Sequence, residues 1–214
     1  FMKSDHYVIG YDFSLSKNAR IKLEAYYQSL FDIPVDANPS SYSALNQGAN
    51  FYFFFPDELK SEGTGENYGV ELTLERFLEK GFYYLFTASL FESNYTASDG
   101  NTYNTAFNGN YNFTGLVGYE SDLFLKKEQK GKWVFTSNAR FTLNGGQRYT
   151  PYNLELSKIA STGIFDENRT FEAQFDDYWR FDIRLGLKRN GKKVTHELDA
   201  ELQNITGRNN VFTI

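Results

Sequence analysis

Apolar and polar residues alternate with a period of two along most of the chain. Tyr7, Ile9, Tyr11, Phe13 and Leu15 share one face of a first segment, with Asp12 and Ser14 on the other. Ile21, Leu23, Ala25 and Tyr27 then oppose Arg20, Lys22, Glu24 and Gln28, and Val70, Leu72 and Leu74 oppose Glu71, Thr73 and Glu75. Similar stretches run through 82–91, 112–120 and 133–143. Near the end, Trp179, Phe181, Ile183, Leu185 and Leu187 oppose Arg180, Asp182, Arg184 and Lys188, and Leu198, Ala200 and Leu202 oppose Glu197, Asp199, Glu201 and Gln203. Side chains of a strand point alternately to its two faces, so this pattern predicts about eight strands of about ten residues each. That is the length a strand tilted by about 45° needs to cross a bilayer.

The predicted connections alternate in kind. Short, mostly basic turns fall at 16–18, 79–81, 126–132 and 190–191, and long polar loops at 33–66, 95–110 and 144–176. The loops are rich in Asn, Ser, Gly and Tyr and lack helical periodicity. In an up-and-down meander every second connection lies at the same end, so all short turns belong at one end and all long loops at the other. Membrane barrels share this asymmetry.

Composition narrows the picture. The 214 residues include 16 Tyr and 21 Phe, yet the mean hydropathy is -0.53. Such a chain fits a barrel with an apolar belt outside and a wet interior, and equally a soluble sugar-binding β-protein. No stretch approaches the roughly 18 apolar residues of a membrane helix. There is no cysteine, which excludes a disulfide scaffold, a thiolate zinc site and a cysteine nucleophile. A net charge of -5 offers no basic patch for nucleic acid. No secretory leader opens the chain, so an exported protein would begin upstream of Phe1.

Alternation alone does not say which face is inside, and a lipocalin-like soluble barrel reads the same way with its apolar face inward. Full charges of both signs in the middle of several strands, and the one-sided loop lengths, favour the apolar face outward. Arg180, Asp182, Arg184, Glu197, Asp199 and Glu201 then form a structural charge ladder in the lumen. His6 and His196, the only histidines, lie far apart and read as isolated residues rather than metal ligands. Gly63-Thr64-Gly65 lacks the strand–turn–helix setting of a phosphate loop. No catalytic constellation stands out, so the chain is read as a non-enzyme that needs no cofactor. Tyr42, Tyr103, Tyr149 and Tyr152 in the long loops are the candidate ligand-stacking residues, with packing of the loops against one another as the alternative.

The final hairpin carries the sharpest expectation. Asn190-Gly191 suits a two-residue turn with positive φ at both positions. Arg189 would face Lys192, Arg184 would face Glu197, Arg180 would face Glu201 and Asp182 would face Asp199. On the apolar face Ile183 would meet Leu198, Phe181 would meet Ala200 and Trp179 would meet Leu202. Trp133 and Trp179 would mark the two rims of the apolar band.

Several stretches resemble one family when taken in order. His6-Tyr7-Val8-Ile9-Gly10-Tyr11 opens the first strand. Residues 26–35 (YYQSLFDIPV) end the second, and Ser41-Tyr42-Ser43-Ala44-Leu45-Asn46 follows. Gly145-Gly146-Gln147-Arg148-Tyr149-Thr150-Pro151 and the stretch 202–212 (LQNITGRNNVF) come later. Together they resemble the C-terminal barrel portion of TonB-dependent outer-membrane receptors of the Bacteroidetes type, over essentially the whole chain. The resemblance implies an all-β, antiparallel up-and-down transmembrane β-barrel, with residues 1–214 forming part of a larger plugged barrel whose plug and final strand are absent. It implies import of a siderophore, vitamin, glycan or peptide across the bacterial outer membrane. The implied partners are the lipid bilayer, the TonB system through an absent N-terminal part, and a surface substrate-binding lipoprotein. The alternatives are a complete small outer-membrane barrel with a structural or adhesion role, and a soluble β-rich binding module. Solubility without detergent would favour the last.

Overall fold

The computed structural model describes residues 1–49, 55–123 and 133–211. The strands are β1 (Lys3–Ser16), β2 (Ala19–Asp36), β3 (Leu59–Glu79), β4 (Phe82–Thr96), β5 (Thr102–Asn104), β6 (Tyr111–Asp122), β7 (Trp133–Asn144), β8 (Arg148–Tyr149), β9 (Ala173–Gln174), β10 (Tyr178–Asn190) and β11 (Thr195–Leu202). Eight of them form one antiparallel meander in the order β1-β2-β3-β4-β6-β7-β10-β11, with β5 pairing beside β4, and β8 and β9 form a separate small ribbon. The eight predicted strands are therefore present, although β2 and β3 reach 18 and 21 residues and extend well into the stretches read as loop.

The ladder register carries the alternation from strand to strand. One cross-sheet row runs Tyr11, Leu23, Leu72, Ala88, Phe113, Leu143, Trp179. The adjoining row on the opposite face runs Asp12, Lys22, Thr73, Thr87, Thr114, Thr142, Arg180. Each row is uniformly apolar or uniformly polar, which a one-residue slip in any pair would destroy. Among the described residues, no helix or second sheet packs broadly over the apolar face. Leu185 on that face is 49% exposed, while Asp182, on the polar face three positions earlier, is 4% exposed. At this point of β10 the burial order is the reverse of that in a half-buried soluble sheet, although Arg184 and Glu201 on the polar face are themselves partly exposed. The polar face is also the crowded one. A Cβ at Gly118 would lie 2.0 Å from the Tyr83 ring, and one at Gly186 would lie 2.3 Å from both Asp199 and Thr136.

Buried apolar side chains gather instead at the end of the sheet that bears the long loops. Ile33, Val35, Tyr95, Ala97 and Ala106 are all buried there. Gly63 makes this possible, because a Cβ would strike Val35 at 2.4 Å. The loops between β2 and β3, β4 and β6, and β7 and β10 all lie at this end, as the meander requires. At the other end lie the tight connections: Lys17-Asn18, Lys80-Gly81 and the turn after Asn190. Lys80 and Gly81 both take positive φ, 53° and 83°, as a two-residue hairpin requires. The expected turn at 126–132 lies outside the described residues.

One expectation is met only in part and two need correction. First, the sheet does not close into a barrel among the described residues: β1 pairs with β2 alone and β11 with β10 alone, leaving two free edges. Closure needs the first and last strands to reach one another, and here neither finds a partner.

Second, Asn190-Gly191 is not a two-residue turn. Asn190 pairs with Thr195, residues 191–194 form the connection, and Gly191 N–H donates to Val194 O at 2.9 Å. The register is slid by four residues. Arg184 faces Glu201, Leu185 faces Ala200, Ile183 faces Leu202 and Gly186 faces Asp199. Like charges directly opposite one another destabilise a ladder, and this register removes the Asp182–Asp199 opposition. Because four is even, each side chain keeps its predicted face.

Third, the third long loop contains a short helix, α1 (Leu154–Ala160), where no helical periodicity was read. The Asn153 side chain caps it, accepting from Leu156 N–H at 3.1 Å. Seven residues are too few for the pattern to repeat.

Candidate functional site

Two regions gather polar chemistry. The first lies on the polar face of β7, β10 and β11. Arg140 and Asp182 are ladder partners, and Arg140 Nη2 donates to Asp182 Oδ2 at 2.8 Å. Arg180 Nε lies 3.0 Å from the same carboxylate, and Asn204 N–H donates to Asp182 Oδ1 at 2.9 Å. This carboxylate thus ties β7, β10 and the segment after β11 together. Arg184 Nη2 meets Asp199 at 2.6 Å and Glu197 at 3.9 Å, and Arg140 reaches Glu201 at 3.9 Å. The structure therefore brings together all six charges named from the sequence, but with different pairings. Arg180 serves Asp182 rather than Glu201. Arg140, which the sequence reading did not single out, is central. Its signal was its polar position in β7, legible only once β7 was set beside β10.

Beyond β11 the chain continues to serve β10. Ile205 N–H donates to Phe181 O at 3.0 Å. The Asn210 side-chain amide then pairs with Trp179 in both directions, accepting from its N–H at 3.1 Å and donating to its carbonyl at 3.0 Å. One side chain thus stands in for a strand partner where β11 has ended, and backbone groups at the sheet margin are satisfied.

The second region is the loop cap. Arg148 is its junction, donating from Nε to Asn108 O at 2.9 Å, from Nη2 to Asn110 Oδ1 at 2.9 Å and from Nη1 to Glu172 O at 3.3 Å. Glu92 accepts from the Asn108 and Asn110 side-chain amides at 2.8 and 2.7 Å, and Asn108 is fully buried. Ala106 N–H donates to Asn46 Oδ1 at 2.8 Å, and the Gln147 amide donates to Ala49 O at 3.0 Å. The three long loops are thereby joined to one another. Arg148 and Gln147 fall in the Gly-Gly-Gln-Arg stretch singled out by resemblance, whereas Glu92, Asn108 and Asn110 were missed. Asn in a polar loop carries no sequence mark that separates a buried amide from a solvated one.

The four loop tyrosines do not converge on one open site. Tyr42 accepts from the Gln47 amide at 3.0 Å. The Tyr103 hydroxyl donates to Asp99 at 2.5 Å, and its ring lies 5.6 Å from that of Tyr95. Tyr149 stacks on Phe175 at 4.3 Å and Tyr152 on Phe165 at 4.7 Å. Each is engaged inside the cap, as in the packing alternative, and Tyr152 alone of the four is exposed by nearly half. Burial raises the Tyr103 pKa, and its hydrogen bond to Asp99 raises it further. Burial pushes the Asp99 pKa upward too, but hydrogen bonds from Tyr103 and Asn101 outweigh it and hold the carboxyl below its usual range.

An open cavity of about 390 Å³ lies at the loop-bearing end of β2, β3 and β4, lined by Tyr26, Tyr68, Val70, Leu90, Phe91 and Glu92 around Gly69. Among the described residues, no three His, Cys, Asp or Glu side chains gather in a way that could hold a metal ion. His6 and His196 lie on β1 and β11, the two edge strands.

The arrangement defines a class: an all-β antiparallel meander with an exposed apolar face, an ion-paired polar face and a cap of interlocked loops at one end. Comparison of the chain with protein-family models, curated proteins and solved structures finds no match.

Proposed function

We propose that this chain is part of the wall and outer vestibule of a TonB-dependent transporter in the bacterial outer membrane, importing a siderophore, vitamin, glycan or peptide. The observation that carries the reading is the uncovered apolar face of the sheet. Apolar rows lie exposed across seven strands, while the charges opposite them are hydrogen-bonded and paired. In water such a face would be a large liability, because soluble monomers rarely expose contiguous apolar patches beyond a few hundred Å². In a bilayer it is the required surface. The loop cap supports a vestibule at the outer end. The two free edges favour a section of a larger barrel over a complete eight-stranded one, since unpaired edge groups have no partner in lipid.

The test is a deletion strain carrying the full-length gene or none. Loss of the gene should abolish energy-dependent uptake of one ligand from those four classes, and disabling the TonB system should reproduce the defect. External protease on intact cells should cut within 144–176 and spare 191–194. Recovery of the protein in the aqueous fraction without detergent, or cleavage confined to the short turns, would overturn the reading.

A further inference from the structure

We infer that the short-turn end of β7, β10 and β11 is a docking site for the headgroup of an anionic phospholipid. The inference rests on the membrane reading above and deepens it. Arg189 shares the apolar face with Leu185 and Leu187, the face proposed to meet lipid. Across the sheet it stands between Trp133 and His196. Its guanidinium lies over the Trp133 ring, 5.3 Å from the centroid. The next row on this face is Phe135, Leu187 and Leu198. Two donors and an indole thus sit directly beside three apolar side chains, the order of chemistry at a headgroup–acyl boundary.

The described turns around this site carry positive charge only, while Glu79, Glu120 and Asp122 stand at the adjoining strand ends, Glu120 within 3.8 Å of Lys188. Lys17, Lys80, Lys192 and Lys193 occupy the described turns at this end, all exposed, and no acidic residue lies in those turns. None of the four takes part in an ion pair among the described residues. Arg189 stacks on Trp133 and takes part in no ion pair among the described residues. The described long loops carry Asp57, Glu58, Asp99, Glu155, Asp166, Glu167, Glu172, Asp176 and Asp177 against Arg148, Lys158 and Arg169. The described connections are therefore polarised, acidic in the long loops and basic in the turns. A phosphodiester is complementary to the basic end: a planar guanidinium binds two of its oxygens, and the turn lysines add to the field.

The full-length protein, extracted from membranes in mild detergent, is examined by native mass spectrometry with added phosphatidylglycerol or phosphatidylcholine. Phosphatidylglycerol should be retained at least fivefold more. Each cation close to an anionic headgroup contributes about fivefold. Arg189→Gln should therefore cut that preference about fivefold, and Arg189→Gln with Lys192→Gln and Lys193→Gln should abolish it. Lys158→Gln in α1 should leave it unchanged. Equal retention of the two lipids, or a preference insensitive to both variants, overturns this site while leaving the membrane reading intact. A protein that needs no detergent overturns the membrane reading itself. All the substituted side chains are exposed, so the single variant remains interpretable if the triple variant assembles poorly.

Discussion

Leu185→Arg separates the two orientations of the sheet. Leu185 lies on the apolar face, six residues from Trp179 and four from Arg189, the ladder partner of Trp133. At about 3.3 Å per residue and a tilt near 45°, it stands roughly 14 Å below the first tryptophan row and roughly 9 Å above the second. In an apolar band about 25 Å tall it is therefore near the middle. An arginine there should cost about 2–4 kcal/mol. Its neighbour provides the control. Arg184→Leu removes the 2.6 Å contact with Asp199, but Arg184 is 44% exposed, so solvent screening leaves little stability to lose. If the sheet stood in water, the ranking would vanish, because substitution of a half-exposed leucine away from any special feature shifts stability by only about 0.5 kcal/mol. The assay is the yield and heat resistance of the full-length protein assembled in outer membranes, with urea unfolding in bilayers for the magnitude. Leu185→Arg should deplete assembled protein severely and Arg184→Leu only slightly. Equal tolerance of both would refute the apolar-outward reasoning and remove the main support for a transporter.

Other consequences are more local. Paired cysteines at Leu185 and Ala200 should form a disulfide readily, and cysteines at Phe181 and Ala200 should not; the opposite result would restore the two-residue turn at Asn190. Asp182→Asn strands Arg140 and Arg180 beside a neutral amide and should cost about 1–3 kcal/mol, seen as a lower urea midpoint; no change would mean the contacts are incidental. The folded-state pKa of Asp99 is depressed, so its contribution is present above the unfolded value and lost as pH falls through the folded one. Protection factors for hydrogen exchange across 97–104 should accordingly stay flat above about pH 4 and fall below the folded pKa, whereas Asp99→Asn should abolish that step.

The sequence by itself determined the strand count, the face of each strand side chain and the grouping of long and short connections. These follow from period-two alternation and from the rule that neighbouring strands of a meander run in opposite directions, and both are local properties. Even where the final register was misread by four residues, Leu185 and Arg184 kept their faces, because parity survives an even slide. Tertiary structure decided everything that depends on which strands lie side by side. Asn-Gly favours a tight turn locally, yet the connection spans 191–194, and in the resulting register Asp199 lies beside Arg184 and no longer opposite Asp182. Arg140 became central only through its place opposite Asp182, and Arg148 only through two loops meeting at it. The free edges of β1 and β11 are likewise a property of the whole sheet. A residue pattern states which side chains of a strand share a face. It carries no term for the charge–charge distances between segments forty or a hundred residues apart, and those distances set the pairing.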